Sequence, residues 1–277
     1  SAKAESSKNR KNTETVISVR EAWFRYEKDS KDILCGMNFD VHAGELTCIV
    51  GGNGAGKTTA LMTAAGVFSP YRGKVKYRGK PISTFRKDKG SAGKIGVLVQ
   101  NPLCCFVMDS VAEELEATAK AYKLPRSGIE EVIDIMQLQS VLGSNPYDIS
   151  GGELQRAAIA KLLLPEPEVI FLDEATKGMD AFFKAEFGAL LRRLAARGTA
   201  IVLVSHDIEF CAEFADRCAM FFNGTVIAEG TPHEVFLGNS FYTTSACRIS
   251  RGIIPDALTS EQVIDYANRC ERKKNDA

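Results

Sequence analysis

Eight residues near the start of the chain carry the clearest chemical signal in the sequence. The segment 51–58 (GGNGAGKT) follows a short apolar run, Thr47–Val50, and precedes a helical pattern over 57–66. Glycines let successive backbone N–H groups turn towards a polyphosphate, and the start of a helix adds positive potential. Lys57 can reach the outer phosphates, and the Thr58 hydroxyl is placed to ligate Mg²⁺. The pattern therefore predicts a phosphate-binding loop.

Two carboxylates follow a second apolar run. Val169–Leu172 contains no polar residue, which is typical of a strand buried on both faces, and Asp173 and Glu174 come next. Open α/β sheets bind ligands at the carboxyl ends of their strands. Asp173 fits a residue that holds Mg²⁺ directly or through water, and Glu174 fits a general base that polarises the attacking water. The alternative is that these acidic residues merely end a strand. The presence of a phosphate-binding loop in the same chain disfavours it.

Two further polar residues end apolar strands. His206 follows Ile201–Ser205, and Gln100 follows Lys94–Val99. A lone histidine is usually structural, but one at the same sheet edge as Glu174 favours a contact with the terminal phosphate. The Gln100 amide can ligate Mg²⁺ or orient water, although glutamine is also common in loops.

The segment Ser150-Gly151-Gly152-Glu153 opens a predicted helix. Serine followed three residues later by glutamate is a capping box, which is the structural reading. Two glycines in a first helical turn nevertheless cost about 1 kcal/mol each relative to alanine. We expect an anion to approach the exposed N–H groups at this helix start.

The elements around these residues alternate between strand and helix patterns. Alternation of this kind predicts a parallel sheet with right-handed crossovers. Strands are expected over 16–50, with turns at Gly36 and His42–Gly44, and a helical block over 109–164 interrupts the alternation. Further predicted elements are a hairpin over 71–82, helices at Asp109–Tyr122, Gly128–Leu138, Ser150–Leu164 and Phe182–Arg197, a strand pair around Asn223-Gly224, and an amphipathic helix from Thr259 to Arg272.

Composition narrows the class of protein. The 277 residues include 35 basic and 35 acidic side chains, so the net charge is zero, and 45% are hydrophobic. These values exclude a disordered or fibrous chain and argue against nucleic-acid binding by bulk charge. No apolar run reaches 18 residues, so no membrane span is expected. Residues 1–15 are polar and are expected to form a disordered tail, and Ser1 in place of Met leaves open a longer parent chain.

Taken in order, these motifs resemble the nucleotide-binding subunit of ABC transporters over about residues 16–235. The resemblance implies that ATP and Mg²⁺ are bound. It identifies Lys57 with the Walker A loop, Gln100 with the Q-loop, Ser150, Gly151, Gly152 and Glu153 with the signature, Asp173 and Glu174 with Walker B, Asp180 with the D-loop and His206 with the switch histidine. The implied ATP contacts are Tyr26, Gly51, Gly52, Asn53, Gly54, Ala55, Gly56, Lys57, Thr58, Thr59 and Gln100. The implied metal ligands are Thr58, Gln100 and Asp173, and the implied catalytic residues are Glu174, His206 and Lys57.

The resemblance also implies a fold and a division of the chain. The expected fold is an α/β P-loop NTPase with a RecA-like parallel core sheet, an antiparallel β subdomain and an inserted helical subdomain at about 103–164. The ATPase domain would cover 16–240 and a C-terminal extension 241–277. Tyr26 matches the aromatic residue that stacks on adenine in this family, with Trp23 and Phe24 as its rivals.

A subclass is suggested by the stretch Ser150–Lys184, which is similar to the energy-coupling-factor (ECF) importers of vitamins and metal ions, especially to the second half of their fused two-ATPase proteins. This likeness implies a second ABC ATPase domain, identical or different, on whose ATP the signature acts in trans. It also implies a transmembrane coupling protein that docks near Gln100–Met108, a substrate-binding membrane subunit, and a place on the cytoplasmic face of the cell membrane. The chain departs from the common family pattern at Glu153, Ala175 and Met179, where Gln, Pro and Leu are usual, and no reacting group is lost.

Three alternatives remain from the sequence alone. A soluble ABC ATPase acting on nucleic acid or the ribosome would carry a long coiled coil or a second ATPase domain, whereas the interval 101–149 is short. An ABC ATPase of another transporter class shares most of the same motifs. A non-hydrolysing module is disfavoured because Glu174 and His206 are both present. No nucleic-acid partner is expected.

Overall fold

A computed structural model describes residues 14–237, 243–250, 253–254 and 257–275. The predicted tail therefore lies almost wholly outside the described residues. The strands are β1 (Thr15–Phe24), β2 (Leu34–His42), β3 (Leu46–Gly51), β4 (Arg72–Tyr77), β5 (Lys80–Pro81), β6 (Ile95–Leu98), β7 (Val169–Asp173), β8 (Ala200–Val204), β9 (Arg217–Phe222) and β10 (Thr225–Gly230). The α-helices are α1 (Lys57–Ala64), α2 (Ile82–Phe85), α3 (Val111–Tyr122), α4 (Arg126–Met136), α5 (Gly151–Leu163), α6 (Ala181–Ala196), α7 (Ile208–Phe214), α8 (Pro232–Phe236), α9 (Ser245–Ser250) and α10 (Ser260–Asn275).

The larger sheet has six strands in the order β10-β9-β3-β8-β7-β6. Its strands from β9 to β6 run parallel, and β10 is antiparallel to β9. Every residue of β3, β7 and β8 is buried, which explains why these strands are apolar runs without alternation. Because the strands are parallel, the carboxyl ends of β3, β6, β7 and β8 meet at one edge of the sheet.

The smaller sheet is antiparallel, with the order β2-β1-β4-β5. Its buried residues, represented by Ile17 and Val19, form one hydrophobic cluster with Leu61 of α1 and with Phe171 and Val202 of the larger sheet. Helix α1 is thereby fixed between the two sheets, and its first turn is held at the end of β3.

The predicted turn at Gly36 was wrong, because this glycine lies inside β2. The register pairs Ala22 with Met37 and Phe24 with Leu34, so the pairing of β1 with β2 is irregular around this glycine. Gly36 has a φ of 69°, and a glycine of positive φ in such a place forms a β-bulge. The chain reverses instead in the segment 25–33.

Helices α3, α4 and α5 occur between β6 and β7, where the spacing predicts three helices. Helix α5 packs against β6, while α3 and α4 pack against α5 and against each other, and their buried residues join a cluster that includes Leu115, Met136, Ile159 and Leu172. Helix α5 begins at residue 151, so the predicted signature segment lies at the exposed amino end of a helix whose later residues are buried.

The C-terminal amphipathic helix is α10. The Gln262 side chain and backbone exchange hydrogen bonds with Thr259, as the capping-box spacing predicts. Its predicted apolar side, represented by Ile264 and Cys270, is largely exposed. Among the described helices, none is both long enough and apolar enough to cross a membrane.

Candidate functional site

The predicted phosphate-binding loop connects β3 to α1. Gly51 has a φ of 152°, and a Cβ there would lie 2.3 Å from the Phe221 carbonyl oxygen, so only glycine fits. Gly56 occupies the N-cap of α1 in a left-handed conformation, and no side chain caps this helix. The first-turn N–H groups of α1 are therefore available to an anion.

Lys57 lies across the centre of this loop. Its ammonium group donates hydrogen bonds of 2.9 Å to the carbonyl oxygens of Gly51 and Gly52, and the residue is 7% exposed. Burial lowers the pKa of Lys57, and the charges of Glu174 and Asp173 oppose that shift. The cation thus lies within the electrostatic field of both predicted carboxylates.

Gly224, which lies outside the phosphate-binding loop, supports the loop. This role was not predicted from the sequence. The Gly224 N–H donates to the Ala55 carbonyl at 3.0 Å, and the Gly224 carbonyl accepts from the Cys35 N–H at 3.0 Å. Gly224 has a φ of 78°, and a Cβ there would lie 2.3 Å from the carbonyl oxygen of Ile33. The sequence identified Asn223-Gly224 only as a hairpin turn, since nothing local distinguishes a turn that packs against a binding loop.

Asp173, at the end of β7, is 1% exposed, and both of its carboxylate oxygens lack a hydrogen-bond partner among the described residues. Burial raises the pKa of Asp173, while the nearby Thr58 hydroxyl and the Lys57 charge lower it. Buried carboxylates without partners are rare because desolvation makes them costly. A divalent cation is the natural partner of such a group, and the arrangement of Asp173 and Thr58 fits Mg²⁺.

Glu174 is held between the two other predicted strand-end residues. Its Oε2 accepts a hydrogen bond from Gln100 Nε2 at 3.1 Å, and its Oε1 lies 3.1 Å from His206 Nε2. The backbone of Glu174 has a φ of 53°, a sparsely populated conformation for a non-glycine residue that is often found at functional sites. The structure thus brings Gln100, Glu174 and His206 together, with Gln100 bonded to the predicted base.

Tyr26 is 60% exposed, and its hydroxyl is 3.1 Å from Thr59 Oγ1 at the start of α1. Its ring meets Phe24 and Phe68 edge-on, at centroid distances of 5.2 and 5.7 Å. The rival Phe24 stacks on Phe68 at 5.1 Å, and the indole nitrogen of Trp23 is buried. Of the three candidate aromatics, Tyr26 is therefore the one with an open face beside the phosphate-binding loop.

The predicted signature segment forms a complete capping box at the start of α5. The Glu153 carboxylate accepts hydrogen bonds from the Ser150 N–H at 2.9 Å and from the Ser150 hydroxyl at 2.6 Å. A Cβ at Gly151 would meet no atom within 4 Å, so nothing in the described residues requires glycine there. Asp180 caps α6 by accepting from the Phe183 N–H at 2.8 Å. Within the described residues, no hydrogen bond or ion pair joins 150–153 to the phosphate-binding loop.

The predicted docking segment between Gln100 and α3 divides into two parts. Phe106 is 6% exposed and belongs to the core, so this part of the predicted docking segment Gln100–Met108 is not available to a partner. Val107 and Met108 are 81% and 40% exposed. The backbone N–H groups of both exposed residues are held by the buried Glu114 carboxylate, each at 2.9 Å, so their side chains point away from the core.

Together these residues form a site at one edge of the larger sheet. A loop suited to phosphates faces a buried carboxylate suited to a cation, beside a second carboxylate held by an amide and an imidazole. The exposed ring of Tyr26, which packs against Phe24 and Phe68, lies beside the loop on the side of the smaller sheet. This arrangement can bind a nucleoside triphosphate and activate a water molecule.

Comparisons with known proteins agree with this geometry. Residues 34–177 match the family described as ABC transporter. A putative ABC transporter ATP-binding protein of Bacillus cereus is 38% identical over 92% of this chain, which spans 46% of that relative's length. The energy-coupling factor transporter ATP-binding protein EcfA of Methanocaldococcus jannaschii is 33% identical over 80% of this chain and 81% of its own length.

The solved structure of cbiO1 from Clostridium perfringens, part of the ABC transporter complex cbiONQ, superimposes with a TM-score of 0.70. It is 30% identical, and the match covers 80% of this chain and 90% of cbiO1. The predicted fold class is confirmed by this likeness. This chain spans about half the length of the Bacillus cereus relative, and the rest of that relative lies outside the match.

Proposed function

The chain belongs to the ATP-binding proteins of ABC transporters, and we propose that it binds ATP with Mg²⁺ and hydrolyses it to power an importer of the ECF type. The observation that carries the proposal is the position of Glu174 between Gln100 and His206 at the sheet edge that also carries Lys57 and Asp173. A polyphosphate on the loop would present its terminal group to this carboxylate.

The phosphates would bind to the loop and the adenine to Tyr26. The uncapped start of α1 supplies backbone N–H groups, and Lys57 supplies a point charge for the outer phosphates. Tyr26 is supported from behind by Phe24 and Phe68, so a base can stack on its open face. Stacking of a base on an aromatic ring contributes about 1–3 kcal/mol by analogy with nucleic-acid contacts.

Mg²⁺ would be held by Thr58 and Asp173, with Gln100 as a further candidate. The unpartnered, buried oxygens of Asp173 support this assignment. When bound, the ion would stabilise negative charge on the outer phosphate oxygens.

Glu174 would act as the general base. A carboxylate that is held at both oxygens is fixed in direction, and such a group can align and polarise a water molecule for attack on the terminal phosphate. His206 would contact that phosphate and hold Glu174 in place, as their 3.1 Å separation supports.

The signature residues Ser150–Glu153 would act on ATP held by a second ABC ATPase domain. Two observations support this. The space at Gly151 is open, and no hydrogen bond or ion pair among the described residues joins the segment to the chain's own loop. This second domain would be identical or different, and this chain's span of about half of the Bacillus cereus relative is compatible with its being on the same polypeptide. Asp180, two residues after Gly178, whose carbonyl oxygen lies close to Gly152, would lie in the same interface.

The likeness to EcfA and to cbiO1 supports the ECF subclass and its partners. These would be a transmembrane coupling protein, docked at Val107 and Met108, and a substrate-binding membrane subunit. The chain would then lie on the cytoplasmic face of the membrane. The transported solute would be selected by the membrane subunit.

The test is Glu174→Gln, measured as ATP turnover and ATP affinity in the assembled ATPase pair. We expect unchanged affinity and a turnover reduced about 10²–10⁴-fold, because only the general base is removed. Lys57→Ala is the control for binding, since it removes a charge from the phosphate site and should lower affinity. Normal steady-state hydrolysis by Glu174→Gln would show that Glu174 is not the base.

A further inference from the structure

The hydroxyl of Ser150 is already engaged within its own chain. It donates its one proton to Glu153 Oε2 at 2.6 Å and accepts from the Glu153 N–H at 3.3 Å. The same carboxylate oxygen accepts from the Ser150 N–H at 2.9 Å. The two residues therefore hold each other at the start of α5.

The charge of Glu153 is not neutralised by an ion pair. Hydrogen bonds from Ser150 lower the pKa of Glu153, and the charge of Arg156 acts in the same direction. Arg156, one turn further along α5, forms no salt bridge with Glu153 among the described residues, and its guanidinium lies 5.0 Å from the ring centre of Phe183. Glu153 thus keeps a negative charge, offset in part by Arg156, beside the open N–H groups that an anion would approach.

A phosphate arriving at this helix start meets two obstacles. A hydroxyl has a single proton, so Ser150 can donate to a phosphate oxygen only after it releases the carboxylate. The carboxylate and the phosphate are both ionised acceptors, so they compete directly for this one proton. The phosphate and the carboxylate also repel each other at short range, where screening by salt is weakest.

We propose that Glu153 restrains closure of the ATP-bound pair, by retaining the Ser150 hydroxyl and by placing negative charge where the partner's ATP must bind. This inference rests on the proposed function, in which the signature acts in trans. Glu153 is then a residue that sets the ATP concentration at which the pair closes. It would keep the pair open at low ATP and make closure easier to reverse after hydrolysis.

The variant Glu153→Gln should change chain stability and pair association in opposite directions, which distinguishes this role from simple helix capping. Glutamine at the same position preserves the capping box, since either residue serves there. It loses the favourable interaction of a carboxylate with the helix amino end, so the chain should become slightly less stable. A purely structural role predicts unchanged or weaker closure, whereas the proposal predicts stronger closure from a slightly less stable chain.

The experiment introduces Glu153→Gln into the Glu174→Gln chain, where hydrolysis does not reopen the pair. Closure is measured by analytical ultracentrifugation over a range of Mg-ATP concentrations, and thermal stability is measured without nucleotide. We expect the ATP concentration for half-maximal association to fall about 5–20-fold, an effect of the size typical for coupling between sites, while ATP affinity of the single chain is unchanged.

The chain offers a matched control in Glu234→Gln. Thr231 and Glu234 form another complete capping box, at α8, with the same three capping hydrogen bonds at 2.8, 3.1 and 3.2 Å. This variant should lower thermal stability and leave association unchanged. Glu153→Asp keeps the charge with a shorter side chain, and it should associate no better than the Glu174→Gln parent.

Three results would count against the proposal. Unchanged or weaker association of Glu153→Gln, in a parent that associates with ATP, overturns the role of Glu153 and leaves the proposed function standing. An equal gain from Glu234→Gln also overturns it, because the effect would then not belong to the signature. A parent that stays monomeric at all ATP concentrations, alone and with its partner ATPase, overturns the ATP-bound pair itself.

Discussion

At the scale of single residues, the buried carboxylate of Asp173 destabilises the folded chain. Its carboxylate is buried without a hydrogen-bond partner among the described residues, and burial raises its pKa. A carboxyl group that binds its proton more tightly when folded destabilises the fold as pH rises through the shifted pKa. At neutral pH, ionised Asp173 therefore lowers the free energy of unfolding, and a bound cation would restore it.

We predict that Asp173→Asn stabilises the nucleotide-free chain at neutral pH. The amide removes the buried charge at nearly constant volume, so the free energy of unfolding should rise by about 1–2 kcal/mol, equivalent to about 2–6 °C in Tm. The stabilisation that Mg-ATP gives to the parent chain should be largely lost. Differential scanning calorimetry with and without Mg-ATP measures both changes.

A matched control is Glu168→Gln, because its pKa is shifted in the other direction. Burial acts to raise the pKa of Glu168, but hydrogen bonds from Tyr77 and Lys94 lower it below its usual range. A carboxylate of this kind stabilises the fold above its unfolded pKa, so its neutralisation should lower Tm at neutral pH. If Asp173→Asn also lowered Tm, the cost assigned to Asp173 would be wrong.

The sequence identified residues that meet at this edge of the sheet, but not the contacts between them. Asp173, Glu174, Gln100 and His206 could each be found at the end of an apolar strand, since parallel strands bring their carboxyl ends to one edge. The bond from Gln100 to Glu174 joins residues 74 positions apart, and it depends on the order of β6, β7 and β8 in the sheet. Gly224 was missed for the same reason, because its role depends on the distant loop that it supports.

At the scale of elements, a buried ion pair ties two helices to the loop after Gln100. Glu114 of α3 is 2% exposed and pairs with Lys161 of α5, whose ammonium group also donates to the Cys105 carbonyl. The same Glu114 carboxylate holds the N–H groups of Val107 and Met108. The exposed loop and the helix that carries the signature segment are thereby connected through two side chains.

We predict that Lys161→Met is more destabilising than the double variant Glu114→Gln/Lys161→Met. The single change leaves a buried carboxylate without its cation and should cost about 3 kcal/mol, at the lower end of the usual range because Lys161 is partly exposed. The double change removes both charges, and the amide oxygen introduced by Glu114→Gln can still accept from the loop N–H groups. Urea unfolding of the two single variants and the double variant measures the coupling. Additive effects would mean that the pair does not hold the loop.

Most of the elements followed from local patterns, but the short helices α2, α7, α8 and α9 were not predicted, and Gly36 was assigned to the wrong element. Helix starts at Ser150 and Thr259 were predictable because a capping side chain and its partner lie three residues apart. Gly36 was assigned to a turn because glycine in a strand pattern has two local readings. Its actual role as a bulge depends on the register of β1 against β2, which no local pattern specifies.

At the scale of the whole molecule, the exposed pair Val107 and Met108 is the proposed contact with the membrane partner. It projects from a loop that begins at Gln100, which bonds to the catalytic candidate Glu174, and it is anchored to α3 and α5 through Glu114. A partner bound to this pair would therefore be linked to the nucleotide site through Gln100 and Glu174, and to α5 through Glu114 and Lys161.

We predict that Val107→Asp/Met108→Asp abolishes co-purification with the transmembrane coupling protein and preserves the isolated chain. Both side chains are exposed, so new charges there are hydrated in the free chain, whereas an apolar contact would have to bury them. Thermal stability and ATP affinity should stay within error of the parent. Ile249→Asp is the control, because Ile249 in α9 is 78% exposed and lies on another element; it should retain the partner. Full retention of the coupling protein by the loop variant would move the docking surface elsewhere, and a collapse in Tm would mean that this loop packs into the fold rather than against a partner.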